Sequence, residues 1–291
     1  MGMNTSGAAD LHMHTVASDG TCTVDERINQ AHNRNLSAIA ITDHDSVSSY
    51  LTKRYTTTND LELITGVEVR ADAENTKVEL LGYYVDPDNQ RLSDVLATVR
   101  EYRKNRNKKI IEQLHETTSL NRSHEDIQSE ADGLLGRPHI ARILVEDGIV
   151  DSIGAAFNEY LASEGKAFVP MERVPAEDII DVIQDAGGVV SLAHPGRVRS
   201  DSIIEILDTL IEAGLDAIEV QYPYATAPSE EDYADISVED AALLAEKYEL
   251  VQTGGSDCHG PDSGKFRIGE VRVSESQLDA LRECAIQRRP L

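Results

Sequence analysis

Short apolar runs rich in β-branched residues alternate with amphipathic stretches of helical period along most of this chain, and that alternation narrows the fold more than any other feature. Candidate strands lie at residues 9–15, 36–42, 61–69, 77–85, 189–193, 217–221 and 250–254. Apolar residues recur at three- and four-residue spacing in 24–35, 176–186, 203–213 and 238–248, the mark of helices with one buried face. Gly187 and Gly214 follow two of these stretches, where a helix stop is expected. Strands separated by helices pair mainly in parallel. Seven of them in 291 residues predict an α/β chain closed, or nearly closed, into a β/α barrel. The alternation breaks between about 92 and 168. Leu92, Val95, Leu96, Val99, Tyr102, Arg106, Ile110 and Leu114 keep helical spacing, and shorter helices are expected at 123–130, 138–146 and 153–161. The expected organisation is a barrel of residues 1–91 and 168–291 carrying an all-helical insert, 92–167.

Of nine histidines, His12, His14, His44, His194 and His259 fall at or just past the carboxyl end of an expected strand. Active sites of β/α barrels form at that end. Asp10, Asp19, Asp43, Asp45, Glu68 and Asp257 recur at the same places. A single strand histidine is ordinarily a packed residue; a set at strand ends with acidic neighbours is hard to explain by packing. In His12-x-His14 both side chains share one face, because strand residues alternate with period two. Asp257-x-His259 repeats the spacing with one carboxylate. Nitrogen and oxygen donors without thiolate suit Zn, Mn or Fe. Such ions, about 3.5–4 Å apart, can share a carboxylate, activate water and stabilise the leaving oxygen of a phosphoryl group. Other signals are weaker. Gly254-Gly255 marks a tight turn. Cys258 sits between candidate ligands without an identifiable base. Arg197 follows His194-Pro195-Gly196, where a phosphate would be met. Arg100, Arg103, Lys104, Arg106, Lys108 and Lys109 form a basic run, read as a solvated helix face or an anion contact.

Lys and Arg number 27 against 52 Asp and Glu, a formal net charge of -25. Such a chain repels duplex DNA and anionic membrane over most of its surface. The acids are interleaved with periodic apolar residues and form no runs, which argues against a disordered acidic protein. They suit a folded, halophilic protein of a high-salt cytoplasm, and only eight of the 27 cations are Lys. Cys22, Cys258 and Cys284 show no pairing pattern, as expected of a reducing compartment. Met1 to Ala9 are small and polar, without a signal-peptide pattern, and no run approaches the roughly 20 apolar residues of a membrane span. A cytoplasmic location is expected.

Asp10-Leu-His12-Met-His14-Thr15, Ser18-Asp19-Gly20-Thr21, Ile41-Thr42-Asp43-His44-Asp45, Gly66-Val67-Glu68, Leu192-Ala193-His194-Pro195-Gly196-Arg197 and Gly255-Ser256-Asp257-Cys258-His259-Gly260 form an ordered set. With them the chain resembles the PHP (polymerase and histidinol phosphatase) family of metal-dependent phosphoesterases, over essentially its whole length. Gly136-Arg137-Pro138-His139-Ile140-Ala141-Arg142 resembles the stand-alone branch of nucleoside 3′,5′-bisphosphate phosphatases and 5′-end exoribonucleases. The resemblance implies a distorted seven-stranded β/α barrel with two or three divalent ions. One ion would take His12, His14, Glu68 and Asp257; a second would share Glu68 and take His194; a third would take Asp19, His44 and His259. Arg137, His139 and Arg197 would face substrate phosphates, with Glu68, His194 and Arg197 at the reaction itself. The family usually carries a histidine just before the Leu-Gly of the following strand. This chain reads Val78-Glu79-Leu80-Leu81-Gly82, so Glu79 becomes the candidate ligand there. The implied substrates are small nucleotides or the 5′-phosphorylated end of short single-stranded RNA, cleaved by metal-activated hydroxide. Histidinol phosphate phosphatase is the alternative enzyme, and a non-catalytic polymerase-associated or regulatory module the alternative outside enzymes.

Overall fold

The computed structural model describes residues 8–130, 135–200, 202–224, 236–263 and 267–291. Most of the polar stretch from Met1 to Ala9 lies outside the described residues. Two compact units result, Met1–Leu96 with Val174–Leu291, and Ala97–Arg173.

In chain order the first unit begins with β1 (Ala9–Asp10), α1 (Val24–Asn33), β2 (Ala38–Ile41), β3 (Tyr55–Thr58), β4 (Leu61–Ala73) and β5 (Thr76–Tyr83). α2 (Gln90–Thr117) leads into the second unit, which adds α3 (His124–Ser129), α4 (Arg137–Glu146) and α5 (Ile153–Ala156). The first unit resumes with β6 (Val174–Pro175), α6 (Ala176–Asp185), β7 (Val189–Leu192), α7 (Ile203–Glu212), β8 (Ala217–Gln221), α8 (Val238–Lys247), β9 (Val251–Gly254) and α9 (Glu275–Arg288).

The sheet runs β1-β2-β4-β5-β7-β8-β9. These are the seven strands that the alternation predicts. β3 and β6, which it misses, both pair with β4. Main-chain bonds from Leu11 N to Gly254 O, 3.1 Å, and from His14 N to Cys258 O, 3.0 Å, nearly close the ring between its first and last strands. β1 itself has two residues where a strand over 9–15 is expected. Past Asp10 the chain bonds instead to the segment after β9 and to Thr42, whose N–H donates to Met13 O at 2.9 Å.

Of the seven expected strands, one runs against the parallel expectation. β5 is antiparallel to both β4 and β7. Only Glu74 and Asn75 separate β4 from β5, with φ of 51° and 62°. A two-residue turn with both residues at positive φ makes a hairpin, whereas a parallel return needs a dozen or more residues.

The helices form where apolar period and caps agree. Thr23 and Glu26 make a capping box at the start of α1, whose Val24, Ile28 and Ala31 are buried. Ile179, Ile180, Val182 and Ile183 form the buried stripe of α6. α9, which the period reading leaves out, buries Leu278, Leu281 and Ala285 in the cluster that contains Leu81 and Val189.

The second unit has its own apolar cluster, including Ile110, Leu114, Ile127, Ile140, Leu144 and Leu161. The expected helix at 153–161 is α5 continued by a π-helical turn, Phe157–Leu161. The basic run on α2 is not one solvated face: Arg103 and Arg106 are buried while Lys104 and Lys109 are exposed. Arg106 Nε donates to Val169 O at 2.7 Å, which turns that cation into a brace of the unit. Among the described residues no helix is long and apolar enough to cross a membrane.

Candidate metal centre

The segments after β1, β2, β7 and β9, with the middle of β4, converge at one end of the sheet. Period two along residues 12–14 sends both imidazoles inward, with ring centroids 5.3 Å apart. Glu68 lies on β4, bridged through the main chain to His44. His194 and Asp257 sit at φ of 27° and 50°, in the left-handed region that side chains rarely adopt. Backbone held there marks a site whose geometry the surroundings enforce. Gly255 lets the last strand approach the first, because a Cβ there would come within 2.3 Å of His12 N.

Four donors meet in one place. His12 Nε2 is 3.3 Å from His14 Nε2, 3.4 Å from Glu68 Oε2 and 3.6 Å from Asp257 Oδ1. His14 Nε2 is 3.3 Å from Glu68 Oε2 and 3.2 Å from Asp257 Oδ1. Donors about 2.0–2.2 Å from a tetrahedral ion stand about 3.3–3.6 Å from one another, so the spacing of His12, His14 and Asp257 suits a single divalent ion, with Glu68 within reach of both imidazoles. Beside it, His14, Asp19, His44 and His259 place ligand atoms within 4.8 Å of one another, and so do His44, Glu68 and Glu79. His194 Nε2 is 3.0 Å from Glu68 Oε1. Glu68 therefore turns one oxygen to the first group and the other to His194, the arrangement of a shared carboxylate. Buried His14 Nδ1, Asp19 Oδ1 and Glu68 Oε2 have no hydrogen-bond partner among the described residues. Orphaned buried polar atoms are costly, and a cation among them answers that cost.

The charges respond to this crowding. Burial, together with His259 and His44, pushes His14 down to about 3, so it stays neutral and keeps one ring nitrogen free to donate a lone pair. Burial opposes ionisation of Glu68 and Asp19. The neighbouring histidines outweigh it, His44 and His12 for Glu68, and His259 and His44 for Asp19, and hold both well below the ordinary carboxylate range. Burial also opposes a charge on His12, but Glu219 and Glu68 raise it well above 6.5.

Several residues that shape the centre lie outside the sequence motifs. Glu219, on β8, accepts from His194 N at 2.7 Å and lies 2.9 Å from His12 Nδ1. Tyr222 donates its hydroxyl to Asp257 Oδ2 at 2.7 Å. The signal for Glu219 is a carboxylate inside the buried run Ala217–Gln221, which must find a partner. Asp10 and Asp43, strand-end carboxylates like the ligands, do another job. Asp43 accepts from Thr15 N, Thr15 Oγ1 and Ser18 Oγ at 2.6–2.7 Å, fixing the loop that carries Asp19. Asp10 accepts from Ser256 N, Ser256 Oγ and Gly269 N at 2.6–2.9 Å, fixing the loop that carries Asp257.

Glu79 stands at the margin. Its Oε2 is 3.6 Å from His194 Nε2 and 3.1 Å from Lys77 Nζ. Arg70, directly across the β4–β5 ladder, grips Oε1 with Nε at 2.9 Å and Nη2 at 2.6 Å. Burial opposes its charge, and Lys77 and Arg70 prevail and keep it ionised. Arg197 ends the 3₁₀ turn after His194, its guanidinium 4.9 Å over the Tyr222 ring. Arg137 and His139 belong to the second unit and open α4. There Arg137 Nη1 donates to Leu161 O at 3.0 Å, and His139 Nδ1 accepts from Gly136 N at 3.1 Å.

The chain is 33% identical over 258 residues to the 5′-3′ exoribonuclease Rnm of Escherichia coli, covering 87% of this chain and 85% of that protein. It is 30% identical over 268 residues to the 3′,5′-nucleoside bisphosphate phosphatase of Chromobacterium violaceum, covering 90% of each. A solved structure from Bifidobacterium adolescentis, described as a candidate metal-dependent phosphoesterase, aligns with a TM-score of 0.78 at 29% identity, over 97% of this chain and 96% of that one. Residues 10–172 match the PHP domain, and with that match on top of these relatives the chain belongs to the PHP domain family.

Proposed function

We propose that this chain is a metal-dependent hydrolase of phosphate esters. Its substrates are small nucleotides, nucleoside 3′,5′-bisphosphates foremost, or the 5′-phosphorylated end of short single-stranded RNA. The observation that carries this reading is the group of His12, His14 and Asp257, spaced for one divalent ion, with Glu68 beside both imidazoles. Glu68 and His194 would serve a second ion, with Glu79 at its edge, and Asp19, His44 and His259 a third. Nitrogen and carboxylate donors suit Mn, Zn or Fe. When bound, such ions polarise a phosphoryl oxygen and make water acidic enough to attack near neutral pH.

The remaining work falls to the protein. Glu219 accepts a hydrogen bond from His12 Nδ1 and leaves Nε2 to face the centre. Tyr222 fixes the rotation of Asp257. Arg197, at the end of the His194 turn, suits a phosphate of the substrate, since its planar fork binds oxygens in pairs. Arg137 and His139 are the candidates for a further phosphate, supported by their place at the start of α4, where helix N–H groups favour anions. The relatives named as an exoribonuclease and a bisphosphate phosphatase support this choice of substrate class over histidinol phosphate. Free Cys22, Cys258 and Cys284 support a cytoplasmic setting.

The test is a phosphate-release assay with a nucleoside 3′,5′-bisphosphate, a nucleoside monophosphate, histidinol phosphate and a short 5′-phosphorylated RNA. Each is run on metal-stripped protein before and after adding Mn, Zn or Fe. Metal-dependent release, fastest from the bisphosphate or the RNA, is expected. Release that ignores metal, or that favours histidinol phosphate, contradicts the reading.

A further inference from the structure

Arg27 lies on α1, outside the ring of candidate ligands, and is fully buried at 0% exposure. Its Nε and Nη2 donate to His14 O at 3.0 and 2.7 Å. Nη2 also donates to Cys258 O at 2.9 Å, and Nη1 reaches Cys258 Sγ and Gln30 Oε1, each at 3.1 Å. None of these partners is a carboxylate. A guanidinium buried on neutral carbonyls and a sulfur is a costly way to fill space that an apolar side chain would fill.

The placement of the two carbonyls supplies the reason. His14 belongs to the segment after β1 that carries His12 and His14; Cys258 sits between Asp257 and His259. The two segments meet at the seam of the barrel, where His14 N donates to Cys258 O at 3.0 Å. Arg27 bonds the same Cys258 oxygen and the His14 oxygen, so three main-chain groups and one rigid fork lock into a closed ring. A strand seam held by few ladder bonds slides easily, and a shift along it would move His12 and His14 away from Asp257 and His259. Lysine, with a single ammonium, could not hold both carbonyls in the same fixed geometry.

We infer that Arg27 is a positioning residue for metal binding: from behind the centre, it holds the first and last ligand-bearing segments in register before any ion arrives. This rests on the reading of His12, His14, Asp257 and His259 as metal ligands.

The test uses the full chain, stripped of metal and titrated with Mn or Zn against a competing chromophoric chelator, with a thermal melt of each metal-free sample. Arg27→Met is expected to weaken affinity about 10–100-fold, the usual loss when a residue supporting a ligand is removed. Its metal-free melting temperature is expected to stay near that of wild type, and saturating metal to restore turnover. Arg27→Lys is expected to recover part of the affinity. Unchanged affinity in Arg27→Met overturns the inference, and so does a lowered melting temperature with unchanged affinity, which would make Arg27 a packing residue. Should Arg27→Met fail to fold, the lysine variant decides, and wild-type affinity there overturns it. Wild-type protein that binds metal but releases no phosphate from any ester sinks the phosphoesterase reading alone. Wild-type protein that binds no metal sinks both.

Discussion

Glu219 Oε1 lies 2.9 Å from His12 Nδ1, and both side chains are fully buried. The carboxylate fixes which imidazole nitrogen carries the proton, and its other oxygen accepts from His194 N at 2.7 Å. One residue on β8 therefore orients a candidate ligand on either side of Glu68. Glu219→Gln keeps the size but only one acceptor oxygen. Metal affinity and kcat/KM are expected to fall about 10–100-fold, with a cooperative melt retained. A metal titration of the variant at wild-type affinity would show that this pair does not orient the site.

The metal-free protein should lose stability in mild acid. His14 is held at about 3 in the folded state against its ordinary 6.5, mainly by burial. Below about pH 6.5 the unfolded chain binds a proton that the folded chain refuses. This contribution is intact above that pH and drains away as pH falls toward about 3, at about 1.4 kcal/mol per pH unit. Glu68 and Asp19, both depressed, act in the same direction, and their share is lost at lower pH. His12 is raised, so its contribution is complete below 6.5 and is lost as pH rises through its folded-state value. Urea melts of stripped protein between about pH 4 and 7 check the sign; a flat profile would contradict it.

Salt should stabilise the chain. With a net charge of -25, self-repulsion acts over about 10 Å at 0.1 M salt but only about 3 Å at 1 M. Melting temperature and activity are expected to rise from low to molar salt. A salt-independent melt would count against an acid-rich surface adapted to high salt.

The sequence patterns that were legible and those that were not differ in physical kind. Strand alternation and the period of two in His12-x-His14 are local, so the seven strands and the inward pair could be read directly. Function through a partner distant in sequence could not be: Glu219 serves His12 from 207 residues away. Asp10 and Asp43 match the ligands in type and place, and only their hydroxyl and amide partners reveal that they brace loops. The reversal of β5 escaped because Glu74-Asn75 lacks the glycine that usually announces a tight hairpin. Arg103 and Arg106 look like surface charge until their burial is seen.

Substrate preference should depend on arginine. A nucleoside 3′,5′-bisphosphate is expected to show higher kcat/KM than the monophosphate, because the second phosphate gains a charge-assisted contact. Arg197→Ala or Arg137→Ala should narrow that ratio, each by a contact worth about 1.5–3 kcal/mol. Steady-state rates on both substrates decide this. Equal rates in wild type, or a ratio unmoved by either change, would favour a general phosphatase.

The most direct measurement is metal content and turnover of Glu68→Ala beside wild type, each with its thermal melt. Glu68 turns Oε2 to His12 and His14 and Oε1 to His194, so its loss removes the shared carboxylate without cutting a strand. A cooperative melt, loss of tightly bound metal and no detectable phosphate release are expected. A Glu68→Ala protein that keeps its metal and full activity would contradict this role for Glu68.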